Sequence, residues 1–156
     1  MAKISNFTNT NIINSKIFSP YRYKEIVEYF KHNKNFSIRG GGTSYNDISL
    51  NSNKKTLNTK NLDKILDLDY KKKVICCQSG VILKDLLDII LKKNLFIFST
   101  PGTFKATIGG LVATDAHSKN TSNNFFSNTI ISIKILTIKN EIIICTKNIN
   151  KDLFYS

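Results

Sequence analysis

The chain has 156 residues, of which 41% are hydrophobic and 22% are charged, so its composition is that of an ordinary globular protein and excludes disorder throughout. It is long enough for one domain with a hydrophobic core, or for two small lobes that share one. No apolar run approaches the ~20 residues of a membrane-spanning helix. The first residues lack the apolar stretch of a secretory signal peptide, which predicts a cytoplasmic protein.

The net charge of +12 would suit a protein that binds nucleic acid or a membrane surface. The lysines are scattered, however, apart from the run Lys71-Lys72-Lys73, and no basic helix or aromatic stripe accompanies them. Because Lys, Asn and Ile dominate the whole chain, as AT-rich coding sequences produce, we interpret the charge as a solvated basic surface. We therefore expect no nucleic-acid partner, and association with a membrane surface stays open but unsupported.

The three cysteines, Cys76, Cys77 and Cys145, indicate neither a disulfide framework nor a zinc site, because their number is odd and no Cys-x-x-Cys pair occurs. Cys76 and Cys77 are consecutive in an apolar run, so in a strand their side chains would point to opposite faces. We expect at least one of them in the core, and we expect no metal site.

The first part of the chain predicts half of an α/β unit. Residues 1–18 are polar and Asn-rich and are expected to form an extended lead-in. Ser19 is the predicted N-cap of a helix over residues 20–32, with Pro20 at its first position. A short strand over residues 36–39 then enters a glycine turn, and a polar loop is expected from 46 to 61.

The middle of the chain predicts a hairpin followed by an amphipathic helix. Residues 65–69 and 74–78 are the two strands of the hairpin. Apolar residues at helical spacing predict a helix over residues 82–93 that stops near Asn94. A short strand or turn is expected at 95–98.

The last part predicts a second hairpin between two short helices. Residues 107–113 are expected to form a loop that enters a short helix, and residues 118–128 a polar loop. Alternating isoleucines predict hairpin strands over residues 129–139 and 141–146. Residues 152–154 have the composition of a helix start.

The first candidate site is the segment Arg-Gly-Gly-Gly-Thr-Ser-Tyr at residues 39–45, directly after a predicted strand. Consecutive glycines allow positive φ angles and bring bare N–H groups against an anion, while Ser, Thr and Arg add donors and charge. This combination suits a pyrophosphate; the alternative is an ordinary glycine turn. Tyr45 stands where the dinucleotide-binding Rossmann fingerprint needs its third glycine, and no Walker-type Gly-Lys-Ser/Thr is present.

The second candidate site comprises Pro-Gly-Thr at 101–103, Thr-Ile-Gly-Gly at 107–110 and Thr-Asp-Ala-His at 114–117. Gly109 and Gly110 fall where a helix begins, so free N–H groups and the helix dipole would attract phosphate there. The alternative for these two glycines is tight helix–helix packing. The alternative for His117 is a locally hydrogen-bonded loop residue, which is favoured over a metal ligand.

Taken together and in order, these motifs, with Gln-Ser-Gly-Val at 78–81 and Ser-Thr at 99–100, resemble the FAD-linked oxidases of the vanillyl-alcohol oxidase type. The flavin domain of that family is called the PCMH-type FAD-binding domain. The resemblance is nearest to the decaprenylphosphoryl-ribose 2-oxidase branch, in which Asp-x-His-Gly-Lys-Asn is typical; here Ser118 replaces the glycine. It extends over about residues 15–154.

The resemblance implies an α+β fold, a two-lobed PCMH-type FAD-binding domain over residues 1–156. A small α/β lobe, about residues 15–62, would be followed by a mainly antiparallel sheet lobe with flanking helices, about residues 63–156. The second lobe is expected to be C-terminally incomplete, and no substrate domain is expected.

The resemblance also implies which residues bind FAD. The pyrophosphate would be wrapped by Arg39, Gly40, Gly41, Gly42, Thr43, Ser44, Tyr45 and Asn46. The ribityl and diphosphate groups would be lined by Gly102, Thr107, Ile108, Gly109 and Gly110, and the isoalloxazine approached by Thr114, Asp115, Ala116 and His117. Some members attach the flavin to a histidine at the position of Thr43, so the resemblance predicts non-covalent FAD.

The implied function is the FAD-binding portion of a flavin-dependent oxidoreductase that acts on a sugar or alcohol CH–OH group. A second chain is expected to supply the missing flavin and substrate regions, with a small molecule as substrate, and no residue here is named as catalytic. The alternatives are an inactive truncated remnant and a basic protein that binds nucleic acid or a membrane surface.

Overall fold

The protein opens with a four-stranded sheet. The computed structural model describes residues 1–51, 55–118 and 125–155. The strand order is β1-β2-β4-β3; β1 and β2 are antiparallel, whereas β4 runs parallel to both β2 and β3. The strands are β1 (Ala2–Ser5), β2 (Ile12–Phe18), β3 (Ser37–Arg39) and β4 (Lys55–Asn58).

The sequence predicted β3, but it predicted neither the pairing of the first two strands nor β4. The polar loop expected up to residue 61 is wrong over residues 55–61, where β4 is followed by a 3-10 turn at Thr59–Asn61. The reason is that the buried centre of this sheet is polar. The Thr56 hydroxyl lies 2.8 Å from the Ser15 hydroxyl and 3.1 Å from the Ser37 hydroxyl, and all three residues are buried. Hydroxyls that satisfy one another can be buried without a hydrophobic alternation in the sequence.

Helix α1 (Tyr23–His32) begins three residues later than predicted. Ser19 is not its N-cap and Pro20 is not its first residue, because both lie in the extended connection, where the Ser19 carbonyl accepts a hydrogen bond from Asn61 Nδ2 at 2.9 Å. The helix packs beside the sheet through aromatic rings: Tyr29 stacks on Phe18 with 4.6 Å between the ring centroids.

The hydrophobic core surrounds the predicted amphipathic helix, now α2 (Leu83–Ile90), which a 3-10 turn extends to a left-handed Asn94. Its apolar face is fully buried and meets residues from the flanking loops and from the next helix. The core residues are Val81, Leu83, Leu86, Leu87, Ile90, Ala106, Leu111 and Phe126. The predicted hairpin before it is confirmed as antiparallel β5 (Ile65–Asp69) and β6 (Val74–Cys77).

The adjacent cysteines of β6 behave as expected of a strand. Cys76 is exposed, whereas Cys77 packs against the core. Burial raises the pKa of the Cys77 thiol to about 11, and the neighbouring Cys76 adds to the rise. Cys77 is therefore a small, partly buried side chain that packs against the core, and Cys145 is fully buried.

The remaining elements are α3 (Ile108–Ala113), a 3-10 turn (Phe126–Thr129), β7 (Ser132–Leu136), β8 (Ile142–Thr146) and α4 (Lys151–Phe154). The short helix, the second hairpin and the last helix are confirmed, the hairpin with shorter strands than predicted. Residues 95–98 form no strand, and the loop expected at 118–128 gives way to the 3-10 turn at Phe126. On β8 Cys145 is buried, while Ile142 and Ile144 stay exposed on the other face.

The fold class is thus the α+β architecture that the resemblance implied, with a mixed first sheet and antiparallel hairpins after it. The lobe boundary near residue 62 stays a prediction. Among the residues described, no helix has the length and apolar character needed to cross a bilayer.

The hydroxyl cluster of the first sheet gives a stability test. Replacing Thr56 by Val keeps the shape but leaves the Ser15 and Ser37 hydroxyls unpaired in a buried site, which should lower the free energy of unfolding by ~1–3 kcal/mol. The triple change Ser15→Ala, Ser37→Ala and Thr56→Val leaves no orphaned hydroxyl and should recover most of that loss. Urea unfolding followed by circular dichroism measures both variants. A Thr56→Val protein as stable as the wild type would contradict this account.

Candidate functional site

The first glycine segment leaves β3 as a tight turn on the surface. Gly42 has a φ of +66°, and a Cβ there would meet the guanidinium of Arg39. A Cβ on Gly41 would stand 2.6 Å from the carbonyl oxygen of Lys105. A side chain is excluded at Gly42 by both its positive φ and the nearby guanidinium, and at Gly41 by the nearby carbonyl alone.

The backbone of this turn carries unused donors. Within residues 1–51, 55–118 and 125–155, the N–H groups of Gly41, Gly42 and Thr43 donate to no acceptor. The side chains of Thr43 and Ser44 make no hydrogen bond in the same part of the structure. Successive N–H groups around a left-handed residue form a concave nest that binds anions. The turn therefore has the donors that the sequence analysis assigned to it.

Arg39 lies behind the turn instead of projecting from the strand end. Its guanidinium donates from Nη1 to Ser49 Oγ at 3.0 Å and from Nη2 to the Ser5 carbonyl at 2.8 Å. Burial lowers the pKa of Arg39 from its ordinary value, which is far enough above neutrality that the group stays charged. The positive charge of Arg39 therefore adds to the attraction of the turn's N–H groups for an anion.

The second glycine segment starts helix α3, with Thr107 as its N-cap: Thr107 Oγ1 accepts from the Gly110 N–H at 3.2 Å. The N–H of Ile108 donates to the Val81 carbonyl, and the N–H of Gly109 donates to the Ser79 carbonyl, each at 2.8 Å. The expectation of free N–H groups at this helix start is therefore wrong, because the loop before α2 and the Thr107 side chain accept their hydrogen bonds. Gly109 does pack tightly, but against a loop and not against a helix as the alternative required: a Cβ there would stand 2.7 Å from Ser79 Cβ.

The two glycine segments are in direct contact. A Cβ added to Gly40 would collide with Thr107 Oγ1, and the site of a Gly41 Cβ lies 3.5 Å from the Thr107 nitrogen. Two segments that are more than sixty residues apart in the chain are therefore in contact at Gly40, Gly41 and Thr107. Two glycines and a capping threonine allow this approach, since none of them has a bulky side chain.

The segment from Thr114 to His117 lies at the other end of α3 and holds the following turn. Asp115 has a φ of +38°, and its carboxylate accepts from the Ser127 N–H at 2.8 Å and from Ser127 Oγ at 3.1 Å. The Ala116 carbonyl accepts from the Phe126 N–H, and exposed His117 pairs with Phe125 in an isolated bridge. The contact of this segment with an isoalloxazine stays a prediction, as does the role of exposed Gly102.

Residues 119 and 120 of the motif quoted for the resemblance lie outside the described residues. The segment at residues 78–81 is not among the predicted FAD-binding residues, although the resemblance includes it. Gly80 donates its N–H to the Leu62 carbonyl at 2.7 Å, and a Cβ there would strike the Thr59 carbonyl. Ser79 packs against Gly109 of α3, whereas Gly80 packs against Thr59 and Leu62. A glycine between a strand and an amphipathic helix is the sequence signal for this segment.

Known proteins resemble this chain in sequence and in fold. The family described as "FAD binding domain" matches residues 19–146. L-gulonolactone oxidase of Bos taurus is 23% identical over 141 residues, which is 88% of this chain and 32% of that protein. Decaprenylphosphoryl-β-D-ribose oxidase of Mycolicibacterium smegmatis is 31% identical over 105 residues, 67% of this chain and 23% of that protein.

A solved structure has the same fold. Xylooligosaccharide oxidase from Myceliophthora thermophila superposes with a TM-score of 0.80 at 16% identity, over 97% of this chain and 33% of that one. The chain spans about a third or less of the length of the proteins it matches. Because the family match extends over residues 19–146, which is most of the chain, the chain belongs to the FAD-binding domain family.

Proposed function

We propose that the chain binds FAD non-covalently and is the FAD-binding portion of a flavin-dependent oxidoreductase that acts on a sugar or alcohol CH–OH group. The observation that carries the proposal is the contact of Gly40 and Gly41 with Thr107 beside the unused N–H groups of the first turn. The relatives named above, which act on sugar-derived substrates by their names, support the substrate class.

The first turn fits a diphosphate. The N–H groups of Gly41, Gly42 and Thr43 can donate to its oxygens, and the Ser44 hydroxyl is free to add a donor. The missing side chains at Gly41 and Gly42 leave the backbone approachable, and the Arg39 charge behind the turn favours an anion. The start of α3 packs against this turn but offers no free N–H groups to the diphosphate, because the N–H groups of Ile108 and Gly109 already have acceptors.

Bound FAD supplies the hydride acceptor of such a reaction. The described residues bind and orient the cofactor. The proposal of non-covalent binding is supported by Thr43, which has no ring nitrogen to attach a flavin.

Hydride transfer also needs a substrate held over the flavin and a positioned base. We propose that a second polypeptide supplies these groups and that the complex is cytoplasmic. Support for the partner comes from β8, whose outward face exposes Ile142 and Ile144. A strand that is apolar on both faces is typical of one covered on both sides.

Binding and linkage can be tested together. Adding FAD to the purified chain should quench the flavin fluorescence and saturate at one equivalent. Acid precipitation of the loaded protein should release all of the yellow colour into the supernatant, because no covalent bond retains it. Colour in the pellet would contradict the non-covalent proposal. A folded chain that never quenches FAD would favour the inactive remnant, and salt-sensitive binding to DNA without flavin would favour the basic binding protein.

The Ser44 hydroxyl gives a test of the diphosphate turn. Ser44→Ala removes one donor to a charged oxygen, worth ~1.5 kcal/mol, so the Kd for FAD should rise about tenfold. The thermal midpoint should not change, since this hydroxyl has no partner within the part of the chain described. Ser132→Ala, on β7, is the matched control and should leave both quantities unchanged. Equal FAD affinities for the two variants would place the diphosphate elsewhere.

A further inference from the structure

We propose that the hairpin of β1 and β2 acts as a clamp that holds the first glycine turn in place through hydrogen bonds, with Asn6 and Asp47 as positioning residues. The N–H groups of Gly41, Gly42 and Thr43 in that turn are called the diphosphate cradle. The ligand named here rests on the proposed function, whereas the clamp itself is a property of the unliganded chain. Neither residue touches the N–H groups that would bind the anion, so both act through the turn.

Asn6 is the centre of the clamp. It lies at the tip of the hairpin and is only 5% exposed. Its Oδ1 accepts from the Thr10 N–H at 3.0 Å, which closes the hairpin turn. Its Nδ2 donates to the Tyr45 carbonyl at 3.3 Å and to Asp47 Oδ1 at 3.1 Å. One buried amide therefore ties two segments together that are about forty residues apart.

Further contacts join the same two segments. The Phe7 N–H donates to the Ser44 carbonyl at 2.9 Å, and the rings of Phe7 and Tyr45 meet edge to face with 5.3 Å between their centroids. Asn11 Nδ2 donates to Asp47 Oδ2 at 2.6 Å. At the start of the turn, Arg39 bonds to the Ser5 carbonyl, so the hairpin holds both ends.

The clamp matters because the turn has few bonds of its own. Its N–H groups from Gly41 to Thr43 are unused among the described residues, and its carbonyls at Ser44 and Tyr45 bond to the hairpin. Ordering a free loop on binding opposes association through lost conformational entropy, and a loop ordered beforehand avoids that loss. The hairpin therefore sets the affinity of the cradle without contacting the ligand.

Two variants test the clamp in the full chain. Asn6→Ala removes the buried amide, and Asn14→Ala makes the same change at an exposed position of the same hairpin. In the unliganded protein, the backbone order parameters of Gly41, Gly42 and Thr43 should fall from ~0.85 to below ~0.6 in Asn6→Ala only. The Kd for FAD, and for ADP as a competitor, should rise about tenfold or more in Asn6→Ala only.

Asp47→Ala distinguishes an effect of the clamp on FAD affinity from an effect of charge alone. It also tests the proposal if Asn6→Ala does not fold. Removing a carboxylate near the turn should tighten binding of an anion if charge alone mattered. The clamp requires the opposite, a threefold to tenfold weaker binding, because two hydrogen bonds to the hairpin are lost. Asp63→Ala, an exposed aspartate after the first sheet, is the control and should change neither the order parameters nor the Kd.

The outcomes are distinct. Order parameters and affinities that match the controls in both Asn6→Ala and Asp47→Ala would overturn the clamp, as would tighter FAD binding by Asp47→Ala. Loss of order in these variants in a chain whose wild type fails to bind FAD would sustain the clamp and refute the proposed function.

Discussion

The geometry of this protein depends on the close approach of Thr107 to the first glycine turn. Its hydroxyl caps α3 and at the same time fills the space that a side chain on Gly40 would occupy. The contact fixes the position of the first sheet relative to the core around α2, because α3 is itself bonded to the loop at residues 79–81. A larger residue at Gly40 or Gly41 would have to push these units apart.

The two glycine segments contain similar residues but have different structural roles. In the first, the N–H groups are unused among the described residues, so they are available to bind an anion. In the second, the N–H groups of Ile108 and Gly109 bond to carbonyls, and the glycine serves close packing against Ser79. Glycine content by itself does not distinguish these roles, because both arise from the same lack of a side chain.

Arg39 brings positive charge to the first glycine turn. Arg39 is held behind the turn by Ser5 and Ser49, where its charge can act on an anion without a direct contact. The N-terminal hairpin that supplies Ser5 also supplies Asn6 and Phe7 to the other end of the turn. Support for the site therefore comes from a part of the chain that has no glycine motif.

The sequence by itself determined the elements with strong local patterns: the apolar stripe of α2, the two later hairpins, the strand before Gly40 and the family to which the motifs belong. The elements follow from spacing between near neighbours in the chain, whereas the family follows from the resemblance of several motifs taken together and in order. Only the tertiary structure decided the strands with a hydroxyl core, because Ser15, Ser37 and Thr56 satisfy one another across the sheet. It also decided which N–H groups stay unused and why Asn6 is buried, since hydrogen-bond partners forty residues apart leave no periodic signal in a single sequence.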